Sequence, residues 1–179
     1  MLSVEGYGVL PVTETVPEQL AAFDCGKQRL NEFLTGTALQ MHAVRLGFTS
    51  VVFHEDVEGP VGYFTLASDS IPLTDSEQFD HDVKEWTLKS FPAVKIGRLA
   101  VRQDLHSQGV GAYIVNTLIL GTVVEGQFSA ARLLVLDADN EARVVKFYET
   151  LGFERSLWAE KSASGKATQT VKMHRDILR

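Results

Sequence analysis

From Lys95 to Ala112 the chain reads Lys-Ile-Gly-Arg-Leu-Ala-Val-Arg-Gln-Asp-Leu-His-Ser-Gln-Gly-Val-Gly-Ala, a run that few architectures accommodate. An apolar strand, expected over Ala93 to Val101, enters a turn. Closely spaced glycines then open the turn onto a helix, expected over Gly109 to Val124, that is apolar on most sides. Backbone N–H groups and the positive end of the helix dipole converge on one spot, an arrangement suited to a phosphate. Gly109 and Gly111 have no side chain, so a ligand can approach the backbone closely there. By itself, such a Gly-X-Gly turn equally describes an ordinary strand-to-helix connection.

A second segment adds weight to the first. Leu133-Leu134-Val135-Leu136-Asp137-Ala138 is a short apolar run that reads as a buried strand. Asn140 to Phe153 follows as a helix closed by Gly152, with Phe153 starting another strand. Strand, glycine turn, helix, strand, and a helix ending Phe147-Tyr148-x-x-x-Gly152-Phe153 together resemble the GNAT superfamily of acyl-CoA-dependent N-acyltransferases. The resemblance is close over the second half of the chain and looser over the first. It implies an α/β (α+β) fold: a mixed, mostly antiparallel sheet flanked by helices, with a parallel strand pair that splays to admit coenzyme A. One domain is expected over 1–179.

The same resemblance assigns candidate residues. Leu99, Ala100 and Val101 would present backbone groups to the pantetheine arm of acetyl-CoA, much as an added strand does. His106, Ser107, Gln108, Gly109, Val110, Gly111 and Ala112 would hold the pyrophosphate, and Asn140 would reach the cofactor from its helix start. The family usually has Gln or Arg where this chain has His106, and often Gly and a basic residue where it has Ser107 and Gln108. A protonated His106 would partly replace the missing cation; a solvated turn residue is the alternative. In the implied acetyl transfer, the N–H of Val101 would stabilise the oxyanion, and Tyr148 would protonate the departing thiolate. Asp137 and Asp69, each near the end of a strand, are candidate general bases, although Asp commonly caps turns at such positions. His42, His54, His81 and His174 show no metal-ligand spacing, and the implied reaction needs no metal.

Composition bounds the partners. The 179 residues are 45% hydrophobic and 22% charged, enough for one sizeable core. The single Cys25 excludes an internal disulfide and, beside a predicted helix boundary, reads as a buried structural thiol. No basic N-terminal region precedes an apolar core, and no apolar run is long enough to span a bilayer. A soluble, unprocessed, cytoplasmic chain that does not engage membranes is therefore expected. The formal net charge is −6, with Asp69, Asp75, Glu77, Asp80, Asp82 and Glu85 clustered against Lys84 alone. Lys161, Lys166, Lys172 and Arg175 tilt the C-terminal stretch basic. The overall field gives no support for a polyanionic partner.

Upstream, Val4 to Val12 reads as a first strand and Pro17 as the start of a helix through Phe23. Leu30, Phe33 and Leu34 form a helical stripe, and Gly36 is expected to separate it from a helix through Leu46. Strands are expected over Thr49 to His54 and Val61 to Ser70, with a turn at Glu58-Gly59-Pro60. Ile71 to Phe91 reads as irregular, with one helical turn within Val83 to Leu88. A strand pair over Arg155 to Ala159 and Thr168 to Asp176, joined around Ser162 to Gly165, closes the chain. Phe23-Asp24-Cys25-Gly26, Leu30-Asn31-Glu32-Phe33-Leu34, Gly62-Tyr63-Phe64-Thr65-Leu66 and Gly97-Arg98-Leu99-Ala100-Val101 resemble the toxin-like GNAT branch. That branch acetylates the amino group of aminoacyl-tRNA and pairs with an antitoxin. The acidic balance favours a primary amine on a small molecule or peptide as acceptor, with the toxin-like activity as the alternative. A non-catalytic acyl-CoA-binding regulatory module is a third reading. The resemblance leaves a homodimer open.

Overall fold

Among the described residues seven strands, β1 (Tyr7–Pro11), β2 (Phe48–His54), β3 (Val57–Ile71), β4 (Phe91–Val101), β5 (Leu133–Asp139), β6 (Glu154–Arg155) and β7 (Thr170–Asp176), form one sheet in the order β1-β2-β3-β4-β5-β7-β6. The computed structural model describes residues 2–86, 88–126, 130–163 and 168–179. They fall into two compact units, Met1–Ala67 with Ile96–Leu118, and Ser68–Lys95 with Ile119–Arg179.

In the first unit, β1 (Tyr7–Pro11) pairs antiparallel with β2 (Phe48–His54), setting Tyr7 opposite His54 and Pro11 opposite Ser50. β2 pairs antiparallel with β3 (Val57–Ile71), setting Phe48 opposite Leu66 and Val52 opposite Gly62. The β2–β3 turn falls at Glu55-Asp56, three residues before the expected Glu58-Gly59-Pro60, which lies within β3. The ladder there shifts register, and Gly59 takes φ +76°. An irregularity of this kind absorbs a Gly-Pro pair inside a strand instead of ending it.

Pro17 opens α1 (Pro17–Ala21) at its first turn, as expected. α2 (Gln28–Glu32) continues through a widened π-type turn at Phe33–Thr37 into α3 (Ala38–Ala43), so Gly36 widens the helix where a break was expected. Leu20, Leu30, Phe33, Leu34 and Ala38 from these helices, with Phe23 and Cys25 from the segment between α1 and α2, pack against Val12, Val51, Tyr63 and Ala100. Cys25 is buried and reduced, as expected for a structural thiol. Gly62 has a steric reason: a Cβ there would meet the Ala100 carbonyl oxygen at 2.8 Å and Ile114 Cδ1 at 2.9 Å. α5 (Val110–Tyr113) runs through a second π-type stretch, Ile114–Ile119, into α6 (Leu120–Glu125). The helix expected over 109–124 is present, with its register widened once.

In the second unit, Arg132 N–H donates to the Pro92 carbonyl and Lys95 reaches Asp137. The start of β4 (Phe91–Val101) and β5 (Leu133–Asp139) therefore run parallel. β5 pairs antiparallel with β7 (Thr170–Asp176), and β7 with the short β6 (Glu154–Arg155). Ile71, Leu73, Val83, Phe91, Ala93, Leu133 and Val135 form the core of this unit. Two expectations are corrected here. The helix between β3 and β4 is α4 (Asp75–Asp80), in a stretch expected to be irregular, because Thr74 and Glu77 form a reciprocal capping box. The turn expected within Val83 to Leu88 is present as a single turn closed by Trp86 N–H on the Val83 carbonyl. The strand expected over Arg155 to Ala159 stops at Arg155, where Ser156 starts α8 (Leu157–Ala163) by accepting the Ala159 N–H on its Oγ. Ser162 and Ala163 belong to α8, while Ser164 and Gly165 of the expected turn lie outside the described residues.

Candidate active site

The turn after β4 is built to expose backbone. A 3₁₀ turn at Gln103–Leu105 buries Leu105, and the chain then passes through Ser107 at φ +62° and Gly109 at φ +87° before α5 begins. Gly109 is the residue at the helix start, where its φ suits glycine and strains any other residue. Gly111 has ordinary helical backbone, so it offers space, not a special conformation. Side chains brace the turn from behind. Arg102 donates to both Asp104 carboxylate oxygens at 2.7 and 2.9 Å and to the Glu58 carbonyl, and Gln108 donates to the Asp104 carbonyl.

His106 takes a role that neither sequence reading contained. Its Nε2–H donates to the Val101 carbonyl at 2.9 Å, clasping the turn to the end of β4. On the other edge, Arg102 N–H donates to the Val61 carbonyl of β3. Alternation along an antiparallel ladder then turns the N–H and C=O of Val101, and of Leu99, away from β3. Val101 N–H is therefore not spent on the β3 ladder.

Three residues before this strand end, Arg98 lies over an aromatic ring. The Arg98 guanidinium sits 4.8 Å from the centroid of Phe33, which stacks in turn on Tyr63. Burial, then the nearby Cys25 thiol, raises the Tyr63 hydroxyl above its ordinary range, while the charges of Arg98 and Arg29 oppose the rise. Arg98 and Arg29 are exposed.

In the second unit, α7 (Ala142–Thr150) carries Tyr148. Its C-terminus closes as the glycine at φ +80° predicts: Gly152 N–H donates to the Glu149 carbonyl and Phe153 N–H to that of Tyr148. The Tyr148 ring meets Phe147 and Phe153 edge-on at 5.0 and 5.6 Å. Burial, then the charge of Asp139, raises the hydroxyl above the ordinary phenol range, so Tyr148 holds its proton at neutral pH.

Both candidate bases make structural contacts. Asp137 Oδ2 accepts from Lys95 Nζ at 2.6 Å, and its Oδ1 lies 3.2 Å from Lys172 Nζ. Burial pushes its carboxyl up, but the Lys95 hydrogen bond and the two lysine charges outweigh that and hold it below the usual carboxylate range. A carboxylate so engaged is a poor proton acceptor. Asp69 accepts the N–H of Ser70, a local backbone contact. Asn140 donates its side-chain amide to the Thr168 carbonyl, so it joins the end of β5 to the start of β7. Lysine partners at 95 and 172 escape sequence reading because sheet pairing brings them to Asp137.

No protein-family profile matches the chain. Solved structures do. AtaT complexed with acetyl-methionyl-tRNAfMet superposes with a TM-score of 0.72 at 23% identity, over 93% of each chain. AtaTR bound with AcCoA matches at 0.69 and 25% identity, over 94% of this chain and 93% of that one. A tyrosine-to-phenylalanine mutant of KacT matches at 0.71 and 18% identity, over 94% of each. The chain has the GNAT fold. In that fold the glycine turn after β4 and the Tyr148 helix are the two strand-to-helix units that the sequence singles out. Among the described residues, no helix is long and apolar enough to cross a membrane.

Proposed function

We propose that this chain is an acetyl-CoA-dependent N-acetyltransferase whose acceptor is the amino group of an aminoacyl-tRNA. One observation carries the acetyl-CoA assignment. Val101 turns its backbone away from β3 and leads directly into a turn whose Ser107 and Gly109 take positive φ at the head of a long helix. The backbone N–H groups from His106 to Ala112 would bind the pyrophosphate, and Leu99 to Val101 the pantetheine amides. His106 contributes by fixing the turn. Asn140, its amide already donated, would meet the cofactor through Oδ1.

Each step then has a residue. Val101 N–H would hold the oxyanion that develops as the amine attacks the thioester carbonyl. Tyr148 would give its proton to the departing thiolate. From an ordinary phenol near pKa 10 to a thiolate near 8.5 this costs about 2 kcal/mol. Burial raises that cost, and in exchange keeps the acid in its protonated form. The amine's own proton would leave to ordered water, since Asp137 and Asp69 are both engaged.

The acceptor reading rests on the exposed arginines Arg98 of β4 and Arg29 of α2, whose charges both act on Tyr63, and on the similarity to an AtaT structure that holds acetyl-methionyl-tRNAfMet. An antitoxin-like protein is the partner this reading implies. The net charge of −6 favours the second reading, a small-molecule or peptide amine. The acidic segment behind that argument is partly spent, however: Glu77 is buried in its capping box, and Asp82 pairs with Arg179. Lys166, part of the basic stretch, lies outside the described residues.

Expression of the wild type and Tyr148→Phe in a bacterial host, with charged tRNA analysed for acetylated amino groups, tests the proposal. Growth arrest and acetylated aminoacyl-tRNA with the wild type alone are expected. Turnover of acetyl-CoA on simple amines with charged tRNA untouched would establish the second reading. Tight coenzyme A binding with no turnover on any amine would establish a regulatory module.

A further inference from the structure

Away from the proposed chemistry, the second unit buries a histidine pair that the mechanism does not use. His81, at the end of α4, and His174, in β7, are 4% and 1% exposed. Their Nε2 atoms face each other at 3.0 Å. Glu154 of β6 lies directly opposite His174 in the antiparallel register. One carboxylate oxygen of Glu154 and one nitrogen of each histidine all lie within 4.8 Å of one another.

The surroundings favour a cation. Asp176 Oδ2 lies 3.3 Å from His81 Nδ1, and the same carboxylate accepts two hydrogen bonds from Arg132, which also donates to the His81 carbonyl. The charges of Glu77 and Glu154 act on His174 as well, and Arg179, itself paired with Asp82, reaches Asp176 at 4.0 Å. The Asp176 carboxylate places negative charge beside His81 without accepting a hydrogen bond from its Nδ1. Among the described residues, neither buried Nδ1 has a hydrogen-bond partner. The hydrogen bond between the two Nε2 atoms uses one ring's N–H and the other ring's lone pair, and it leaves one Nδ1 lone pair and one Nδ1–H.

We propose that His81, His174 and Glu154 form a binding site for a divalent transition-metal ion, Zn²⁺ by ligand chemistry. Two imidazole nitrogens and one carboxylate are a borderline donor set that suits zinc and disfavours the all-oxygen ions Mg²⁺ and Ca²⁺. Tetrahedral ligands at about 2.0–2.1 Å from zinc stand about 3.3 Å apart. The two Nε2 atoms therefore need only a few tenths of an ångström of separation, and the exposed Glu154 side chain closes the remaining gap by rotation. Water takes the fourth position. The ion would fasten the segment after α4 to β6 and β7, and takes no part in acetyl transfer.

Tag-free full-length protein, stripped with chelator, would be titrated with Zn²⁺ against a chromophoric competitor. One equivalent is expected to bind and to raise the melting temperature by about 5 °C or more at saturation, with no response to Mg²⁺. Co²⁺ should give the intense visible bands of a tetrahedral site. Glu154→Gln, at an exposed position, should keep the fold by circular dichroism and weaken Zn²⁺ at least about 10-fold. His174→Gln should abolish binding. Failure of the wild type to bind one equivalent overturns the proposal. So does an unchanged zinc affinity in Glu154→Gln, or a Co²⁺ spectrum of octahedral type.

Discussion

Tyr148 is held by ring contacts with Phe147 and Phe153, so removing its hydroxyl leaves the packing intact. Tyr148→Phe should therefore lower kcat by about 10²-fold or more while leaving the acetyl-CoA Kd unchanged, as steady-state kinetics and calorimetry would show. An unchanged kcat with chemistry rate-limiting would reduce Tyr148 to a packing residue. Asp137 makes the opposite prediction. Clamped by Lys95 and Lys172, it should prove structural, and Asp137→Asn should keep turnover within about 3-fold where loss of a true base costs about 10² or more. The pH dependence has a definite sign. Its folded carboxyl titrates below the unfolded value near 3.9, so the stabilisation is complete above that value and fades as pH falls through the lower folded one. The melting-temperature gap between wild type and Asp137→Asn should hold steady from neutral pH down to about 5 and shrink below about 4.

At the scale of elements, the two glycines of the turn separate by mechanism. Gly109→Val forces a β-branched residue to φ +87°, costs about 1–2 kcal/mol in backbone alone, and crowds the proposed phosphate site. Acetyl-CoA binding measured by calorimetry should disappear, and full affinity in the folded variant would remove the phosphate assignment. α4 offers a test outside the site. Glu77 accepts from Thr74 N–H and Oγ1 within its own cap and from Leu157 N–H at the head of α8. Glu77→Ala should destabilise the protein by on the order of 2 kcal/mol in urea titration, more than an exposed cap, because it leaves buried donors unpaired. Thr74-Asp75-Ser76-Glu77 is the pattern of such a cap and was legible in the chain. Where that signal goes unused, the polar character of the segment suggests a loop.

For the whole molecule, the net charge of −6 means that long-range attraction will not bring a polyanion to the surface. Recognition of tRNA would have to be local, at Arg29 and Arg98. Replacing both with Gln should raise KM for charged tRNA about 10-fold and reduce the salt dependence of binding by about two ion equivalents, with the acetyl-CoA Kd unaltered. A salt slope equal to that of the wild type would exclude the two arginines from phosphate contact.

The chain by itself determined the two strand-to-helix units, the glycine at the head of α5, the Schellman closure at Gly152, the Pro17 start and the buried Cys25. Each depends on backbone geometry within a few residues, where side-chain type and local conformation are directly coupled. Tertiary structure alone decided the partners. Lys95 finds Asp137 across 42 positions, and His81 meets His174 across 93. Contacts at such separations depend on sheet register and on the packing of whole elements, and a one-residue slip would redirect every side chain involved. No local pattern carries that information.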